Sequence, residues 1–430
     1  MTLRRRLLFA TIVLLPLVLL AAGWIGLMFL QQGGMAPFRV PTGIARVVSA
    51  DAALIQHGRR LAQIGNCGGC HTTHGGAAYA GGRAFATPYG TIHSSNLTPD
   101  VQHGIGAWSL AEFRHAMRHG VSRNGVQAPV FPYANFALLD DAELDALYAF
   151  LATLPPVAQT PAADRLEFPA SLPGAMTAWR LLYYRPAPPR PATTAVSALQ
   201  RGAALVNGIG HCAVCHGTRG TFSSLAGGTR LDGGRVSGWY APALDARTLA
   251  RYPPGALAHY LRGASIDGHA AYGKMADVIA QNLQHLDVAD ADAMEAYLRT
   301  LAPAPPSRRE APAWDLPAEQ RALGDRLYAE HCADCHGQDG RGEAGKYPSL
   351  QASSAITGPD PINAIKLTLF GAVGPATPQN PQPWTMPPYA QTLSAADVAA
   401  LVSTLRARWG RDARPVSASD VDAWGGIDER

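Results

Sequence analysis

The stretch "NCGGCH", residues 66–71, sets two cysteines three apart with a histidine directly after the second. It recurs as "HCAVCH" over 211–216 and "HCADCH" over 331–336. All six cysteines fall in these three copies, and only 14 of 430 residues are histidine, so the trailing imidazole belongs to the pattern. A bare Cys-x-x-Cys could be half a zinc site or a redox dithiol. Zinc would need a second pair nearby to reach four ligands, yet the pairs lie more than a hundred residues apart. A thioredoxin-like dithiol expects a strand–helix context, and Gly/Ala-rich sequence surrounds each pair here. Cys-x-x-Cys-His is instead the attachment pattern of haem c. It implies three covalently bound haems c, held by Cys67 and Cys70, Cys212 and Cys215, and Cys332 and Cys335. His71, His216 and His336 are then the proximal iron ligands.

The motif sits inside a longer repeat. A Gly-x-x-Leu precedes each copy, at Gly58, Gly202 and Gly324. Each copy is followed by an acidic or Ser start and apolar residues at helical spacing, over 140–154, 287–301 and 393–410, the pattern of an amphipathic helix with an N-cap. A first helix carrying the haem and a last helix packing across it is the plan of a small class I cytochrome c domain. Tyr148, Tyr297 and Leu401 read as core of those last helices. Pro-rich stretches separate the copies and favour extended linkers. The expected fold is mainly α, an N-terminal transmembrane helix followed by three class I cytochrome c domains in tandem. The expected boundaries are an anchor over 1–32, domains over 49–157, 194–303 and 317–410, linkers over 158–193 and 304–316, and a tail over 411–430. Within the first linker, "AMTAWRLLYY" (175–184) is apolar enough to dock on a neighbouring domain or a membrane surface, and packing between domains is the expectation.

Haem iron has a second axial position, and Met is its usual occupant in electron-transfer cytochromes c. Met275, 63 residues beyond Cys212, and Met386, 54 beyond Cys332, stand in Gly- or Pro-marked loops shortly before the last helix of their repeats. They are the expected distal ligands. Met176 lies in a linker and Met294 in a helical pattern, where it fills core. The first repeat breaks the rule: Val130 and Phe131 stand where a Met would be expected. Met117 reads as helix core, His93, His115 and His119 remain as alternatives, and the distal ligand of the first haem is unassigned.

Arg4, Arg5 and Arg6 precede 24 uncharged residues, 7–30, about 36 Å as a helix and enough for a hydrocarbon core of about 30 Å. The arginines should stay cytoplasmic, which places the rest of the chain in the periplasm of a bacterial inner membrane. A signal peptide cleaved near Ala21 or Ala22 would have an apolar core of only about 7–15 residues, whereas here apolar sequence continues to Leu30. The formal charge is +4 with no concentrated basic run, so nothing suggests a nucleic-acid partner.

Beyond the three motifs, the stretches "GGRAFATPYGTIHSSNLTPD" (81–100), "GIGAWSLAEFRHAMRHGVSRNG" (104–125), "FPYANFALLDDAELDALYAFL" (131–151), "SGWYAPAL" (237–244) and "MPPYAQTLSAADVAAL" (386–401) carry a resemblance. From about residue 50 to 410 the chain resembles the triple-haem cytochrome c subunits of bacterial membrane-bound dehydrogenases. These serve alcohol, gluconate, fructose and sorbitol dehydrogenases and molybdenum hydroxylases of the nicotinate, isoquinoline and aldehyde type. The resemblance implies an electron conduit, not a catalyst. It would take electrons from a quinoprotein, flavoprotein or molybdopterin subunit and pass them to ubiquinone or a cytochrome or other terminal acceptor. Met275 and Met386 match the family's axial methionines, and Phe131 occupies a place where some members carry Met. No paired carboxylates, Ser–His–Asp set or phosphate loop appears in the sequence. A terminal-oxidase cytochrome subunit is the runner-up, although such chains lack the "GTIHSSNLTPD" and "SGWYAPAL" stretches. Peroxidase-like chemistry at an open first haem would need a polar distal pocket, whereas Phe131, Tyr133 and Phe136 make that loop apolar.

Overall fold

The structure, a computed structural model, describes residues 3–41, 51–187, 197–220, 230–263, 266, 269–302, 316–410 and 414–425, with backbone alone over 3–11. The expected linker over 304–316 therefore lies, Leu316 excepted, outside the described residues. The chain divides into two compact units, Met1–Ala62 with Cys67–Ala192, and Gln63–Asn66 with Thr193–Arg430. It is mostly helical, with short two- and three-stranded sheets.

Helix α1 (Leu3–Gln31) opens unit 1 and contains Pro16. Its Ile12–Gln31 stretch has a mean hydropathy of 2.5 and is 6% buried, and among the described residues it is the one helix long and apolar enough to cross a membrane. An apolar helix bare to its surroundings along nearly its whole length is no core helix. Next come α2 (Ala52–Ile64), β1 (Ala84–Thr87), β2 (Gly90–His93), α3 (Leu110–His119) and α4 (Asp141–Leu151). Reciprocal capping boxes, Ser109 with Glu112 and Asp140 with Glu143, start α3 and α4 by satisfying two orphan amides each.

The stretch expected as an extended linker, 158–193, is built into unit 1 over its described part. Strand β3 (Arg165–Leu166) pairs antiparallel with β2, and α5 (Ala175–Tyr183) follows. Asn96 Nδ2 donates to the carbonyls of Val157 and Gln159, and Asp164 accepts from the His93 amide. Long-range side-chain bonds supply here what the prolines deny to local structure.

Unit 2 holds α6 (Ala198–Ala204), α7 (Gly273–Gln281), α8 (Val288–Arg299), α9 (Ala318–His331) and α10 (Ile362–Phe370). After these come the hairpin β4 (Ala372–Val373) and β5 (Thr385–Met386), then α11 (Ala395–Trp409) and α12 (Ala418–Gly425). The last helix lies in the stretch read as a tail, yet Val416, Val421 and Trp424 pack into the same core as Ile365, Val402 and Leu405.

One feature recurs three times. The glycine of each Gly-x-x-Leu lies where an opening helix crosses a closing one. A Cβ on Gly58 would stand 1.8 Å from the Ala146 carbonyl oxygen, and one on Gly202 would stand 1.9 Å from that of Ala293. On Gly324 it would stand 2.1 Å from Thr404 Oγ1 and 2.7 Å from the Ala400 oxygen. Only a residue without a side chain allows backbones to approach so closely. Three residues on, Leu61, Leu205 and Leu327 are buried, as are Tyr148 and Leu401 in the closing helices, while Tyr297 is half-buried. Closing helices α4, α8 and α11 lie within the three amphipathic stretches read from the sequence.

Within unit 2 the middle and last repeats are joined by polar contacts. Asn363 on α10 grips the Tyr240 backbone from both sides, accepting from its amide at 2.9 Å and donating to its carbonyl at 2.8 Å. Tyr272 meets Ser354 Oγ at 2.8 Å, Arg235 pairs with Asp360 at 2.5 Å, and Thr377 Oγ1 donates to the Gly263 carbonyl at 2.9 Å.

Candidate functional site

Each Cys-x-x-Cys-His motif contains a single short helical turn, Cys67–Cys70, Ala213–His216 and Ala333–His336. The amides of His71, His216 and His336 donate to the carbonyls of Cys67, Cys212 and Cys332 at 2.9, 2.8 and 2.9 Å. Positions three apart share a helix face, so both thiols of a pair emerge on one side. The histidine carbonyls then accept from Gly81, Gly233 and Gly342 at 2.8, 2.8 and 2.9 Å, and all three glycines hold left-handed φ of +74°, +88° and +71°.

The imidazoles are oriented alike. Nδ1 of His71 lies 2.6 Å from the Ser95 carbonyl oxygen, that of His216 2.6 Å from Pro242, and that of His336 2.9 Å from Pro348. A carbonyl can only accept, so Nδ1 carries the proton and donates. Burial holds all three rings below the ordinary histidine range, which keeps them neutral and leaves the Nε2 lone pair available to a metal.

The acceptors Ser95, Pro242 and Pro348 did not stand out in the sequence, although a signal was there. Each is followed two residues later by leucine, in Ser95-Asn96-Leu97, Pro242-Ala243-Leu244 and Pro348-Ser349-Leu350. The three leucine amides are tied back to Tyr79, Leu231 and Gly340.

Burial, and then the neighbouring thiol of each pair, pushes Cys67 and Cys212 up to about 12 and Cys332 up to about 11. None of the six cysteines is in a disulfide. A redox dithiol needs the opposite shift, toward thiolate. Among the described residues no group of three or more His, Cys, Asp or Glu converges as a metal-ion cage. Two thiols on one face beside a neutral imidazole with its Nε2 free form a donor set that fits haem c.

Met275 and Met386 are half-buried, each between its motif turn and its closing helix. Met275 lies in the first turn of α7, where a loop was expected, and Met386 in β5 opposite Ala372. Helix α7 packs on β4, the partner strand of β5, so the two methionine-bearing elements are neighbours through one strand. Met294 and Met117 are buried core, and Met176 is half-buried in α5. In the first repeat Phe131 is half-buried with its ring 5.4 Å from Phe136. His115 and His119 pair with ring centroids 4.7 Å apart, on the side of α3 that meets Pro37 and Arg180. His93 ends β2, with Nδ1 4.0 Å from Asp164.

Comparison with known proteins gives the class first. The cytochrome c family pattern matches residues 55–155 and 322–409. The cytochrome c subunit of quinone alcohol dehydrogenase from Gluconacetobacter polyoxogenes is 34% identical over 404 residues, covering 88% of this chain and 86% of its own. The gluconate 2-dehydrogenase cytochrome c subunit of Pantoea cypripedii is 35% identical over 401 residues, covering 86% and 89%. The fructose dehydrogenase cytochrome subunit of Gluconobacter japonicus is 31% identical over 350 residues, covering 75% and 72%. The chain belongs to the cytochrome c subunits of dehydrogenase complexes, their electron-transfer component and not the catalytic one.

Proposed function

We propose that this chain carries three haems c, spans the bacterial inner membrane by α1, and passes electrons in the periplasm from a partner dehydrogenase to ubiquinone or another terminal acceptor. The observation that carries the proposal is the threefold repetition of one site: thiol pair, carbonyl-bound Nδ1, left-handed glycine and crossing glycine. The middle repeat, which the family pattern does not match, has every one of these features.

In this reading the thiol pairs Cys67 and Cys70, Cys212 and Cys215, and Cys332 and Cys335 would each hold a porphyrin through two thioether bonds. His71, His216 and His336 present Nε2, their Nδ1–H groups fixed by the three carbonyls. Met275 and Met386 would hold the iron of the second and third sites by their thioethers, ligands that favour ferrous iron. The first site has no methionine in its distal loop, and Phe131 turns an apolar face there. When bound, haem iron supplies one-electron transfer, and the protein contributes fixed placement and a low-dielectric surround. A partner subunit bearing a quinone, flavin or molybdopterin would oxidise the substrate.

The polar joint between the middle and last repeats holds their two sites at a fixed spacing, as an electron conduit requires. The exposed run Ile12–Ile25 and the three preceding arginines support the span and its orientation. Pyridine hemochrome analysis of the purified chain should give three haems per polypeptide, resistant to acid–acetone extraction. Fewer than three, or extractable pigment, would overturn the reading. Purification from its native membrane should bring a dehydrogenase subunit with it.

A further inference from the structure

The segment 168–184 contains one charged side chain, Arg180, and that one is turned inward. Arg180 is 0% exposed. Its Nη1 donates to the His119 carbonyl, and its guanidinium lies 4.2 Å from the Tyr184 ring centroid, 5.2 Å from Tyr133 and 5.7 Å from Phe38. The outward side of the segment is left uncharged and, Ser171 apart, carries its exposed side chains as apolar ones. Phe168 is 79% exposed, Leu172 51% and Leu182 49%, and Ala178, one turn before Leu182, is exposed too. Packing against a neighbouring domain, expected from the sequence, thus accounts for the inner face of α5 and leaves the outer one bare.

What lies against that outer face follows from where α5 is fastened. Gln32, one residue past α1, donates from Nε2 to the carbonyls of Arg180 at 2.7 Å and Tyr184 at 3.1 Å. Arg185 reaches Met28 Sδ at 3.2 Å. Met28 and Gln32 are buried by these contacts, whereas Trp24 and Leu30 on the same helix stay open. The C-terminal end of α5 is therefore pinned at the level where the apolar stretch of α1 ends, which for a spanning helix is headgroup depth. Two further features suit that depth. Trp179 and Tyr183 form a ring pair with centroids 5.7 Å apart, the amphipathic residue types of the membrane interface. Arg185 is exposed just past the apolar face, where a cation meets lipid phosphate.

We infer that Phe168, Leu172 and the outer face of α5 are inserted in the outer leaflet of the bilayer, a second, monotopic contact beside the span. It rests on α1 being that span. The occupant is lipid because the patch is continuous with a membrane-embedded helix, and the only charge in the segment has been withdrawn from this side.

The test is photo-crosslinking from p-benzoylphenylalanine placed singly at Phe168, Leu172 and Leu182. The full-length, haem-loaded chain would be reconstituted in phosphatidylethanolamine–phosphatidylglycerol nanodiscs. Leu20, within α1, serves as the reference, and Leu199, an exposed leucine beside Gln200 and Arg201, gives the background. All five positions lie on the surface, and equal haem content verifies folding. The expected result is phospholipid adduct at the three patch positions at the level seen for Leu20 and well above Leu199. Adduct at Leu20 but only background at the patch overturns the inference and leaves the anchor standing. Adduct at the patch but not at Leu20 upholds the patch and overturns the span. The same variants irradiated in the native complex should again give lipid, and adducts to a partner subunit instead would overturn the assignment of lipid as occupant.

Discussion

Three carbonyl oxygens fix which nitrogen of each motif histidine is available, and Met275 and Met386 are the second ligands proposed for two of the three sites. Met275→His and Met386→His should each lower one midpoint potential by a fraction of the about 0.8 V range that axial ligands span. The sign is downward because thioether sulfur favours ferrous iron more than imidazole does. Spectroelectrochemical titration checks this, and an unchanged potential would remove that methionine from the ligand set. A second residue-scale expectation concerns His119. Burial, then the His115 ring and the Arg180 and Arg118 cations, pushes it down to about 4. Its folded-state value lies below the unfolded one of about 6.5, so the unfolded chain binds the proton more readily. The resulting loss of stability grows as pH falls from about 6.5 toward 4. The thermal midpoint of unit 1 should fall over that interval, and His119→Gln should flatten the fall. The motif histidines were legible because their signal is contiguous in sequence. Arg180 was not, since an arginine's burial depends on carbonyls and rings far along the chain.

At the scale of the element, the crossing glycines decide whether opening and closing helices can meet. Gly202→Ala pushes a methyl into the Ala293 carbonyl and should cost about 1–3 kcal/mol, the usual penalty of overpacking. Gly58→Ala, equally tight, should cost as much. A Cβ on Gly26 in α1 would meet nothing within 4 Å, and Gly26→Ala should leave the thermal midpoint of the haem-bearing units unchanged. If all three behaved alike, the glycines would be passive. The closing helices could be read in advance because two of them, α4 and α11, begin with capping boxes, a local signal. The stretch 158–193 was misleading for the complementary reason. Its prolines predict an extended linker, while β3 and α5 are held by partners more than 50 residues away in sequence, among them Thr91 and His119.

At the scale of the whole molecule, the tandem expected from sequence is organised as two compact units, because the middle and last repeats share one of them. Nothing in either repeat's own pattern announces that joint, which is made by side chains such as Asn363 and Tyr272 meeting residues up to 123 positions away. Asn363 offers a direct test. Its amide satisfies both the N–H and the C=O of Tyr240, and leucine, similar in size, would satisfy neither. A buried backbone group left unpaired costs about 1–3 kcal/mol, enough to uncouple two repeats without unfolding either. Calorimetry of the full chain should then resolve unit 2 into two transitions in Asn363→Leu where the parent shows one, with haem content unchanged. Electron exchange between the second and third sites should slow in the same variant, because its rate depends on a spacing that the joint no longer fixes. A slowed exchange with a single intact transition would place Asn363 in the electron path itself. An unchanged pair of measurements would mean that the remaining contacts, Arg235 with Asp360 and Thr377 with Gly263, hold the two repeats unaided.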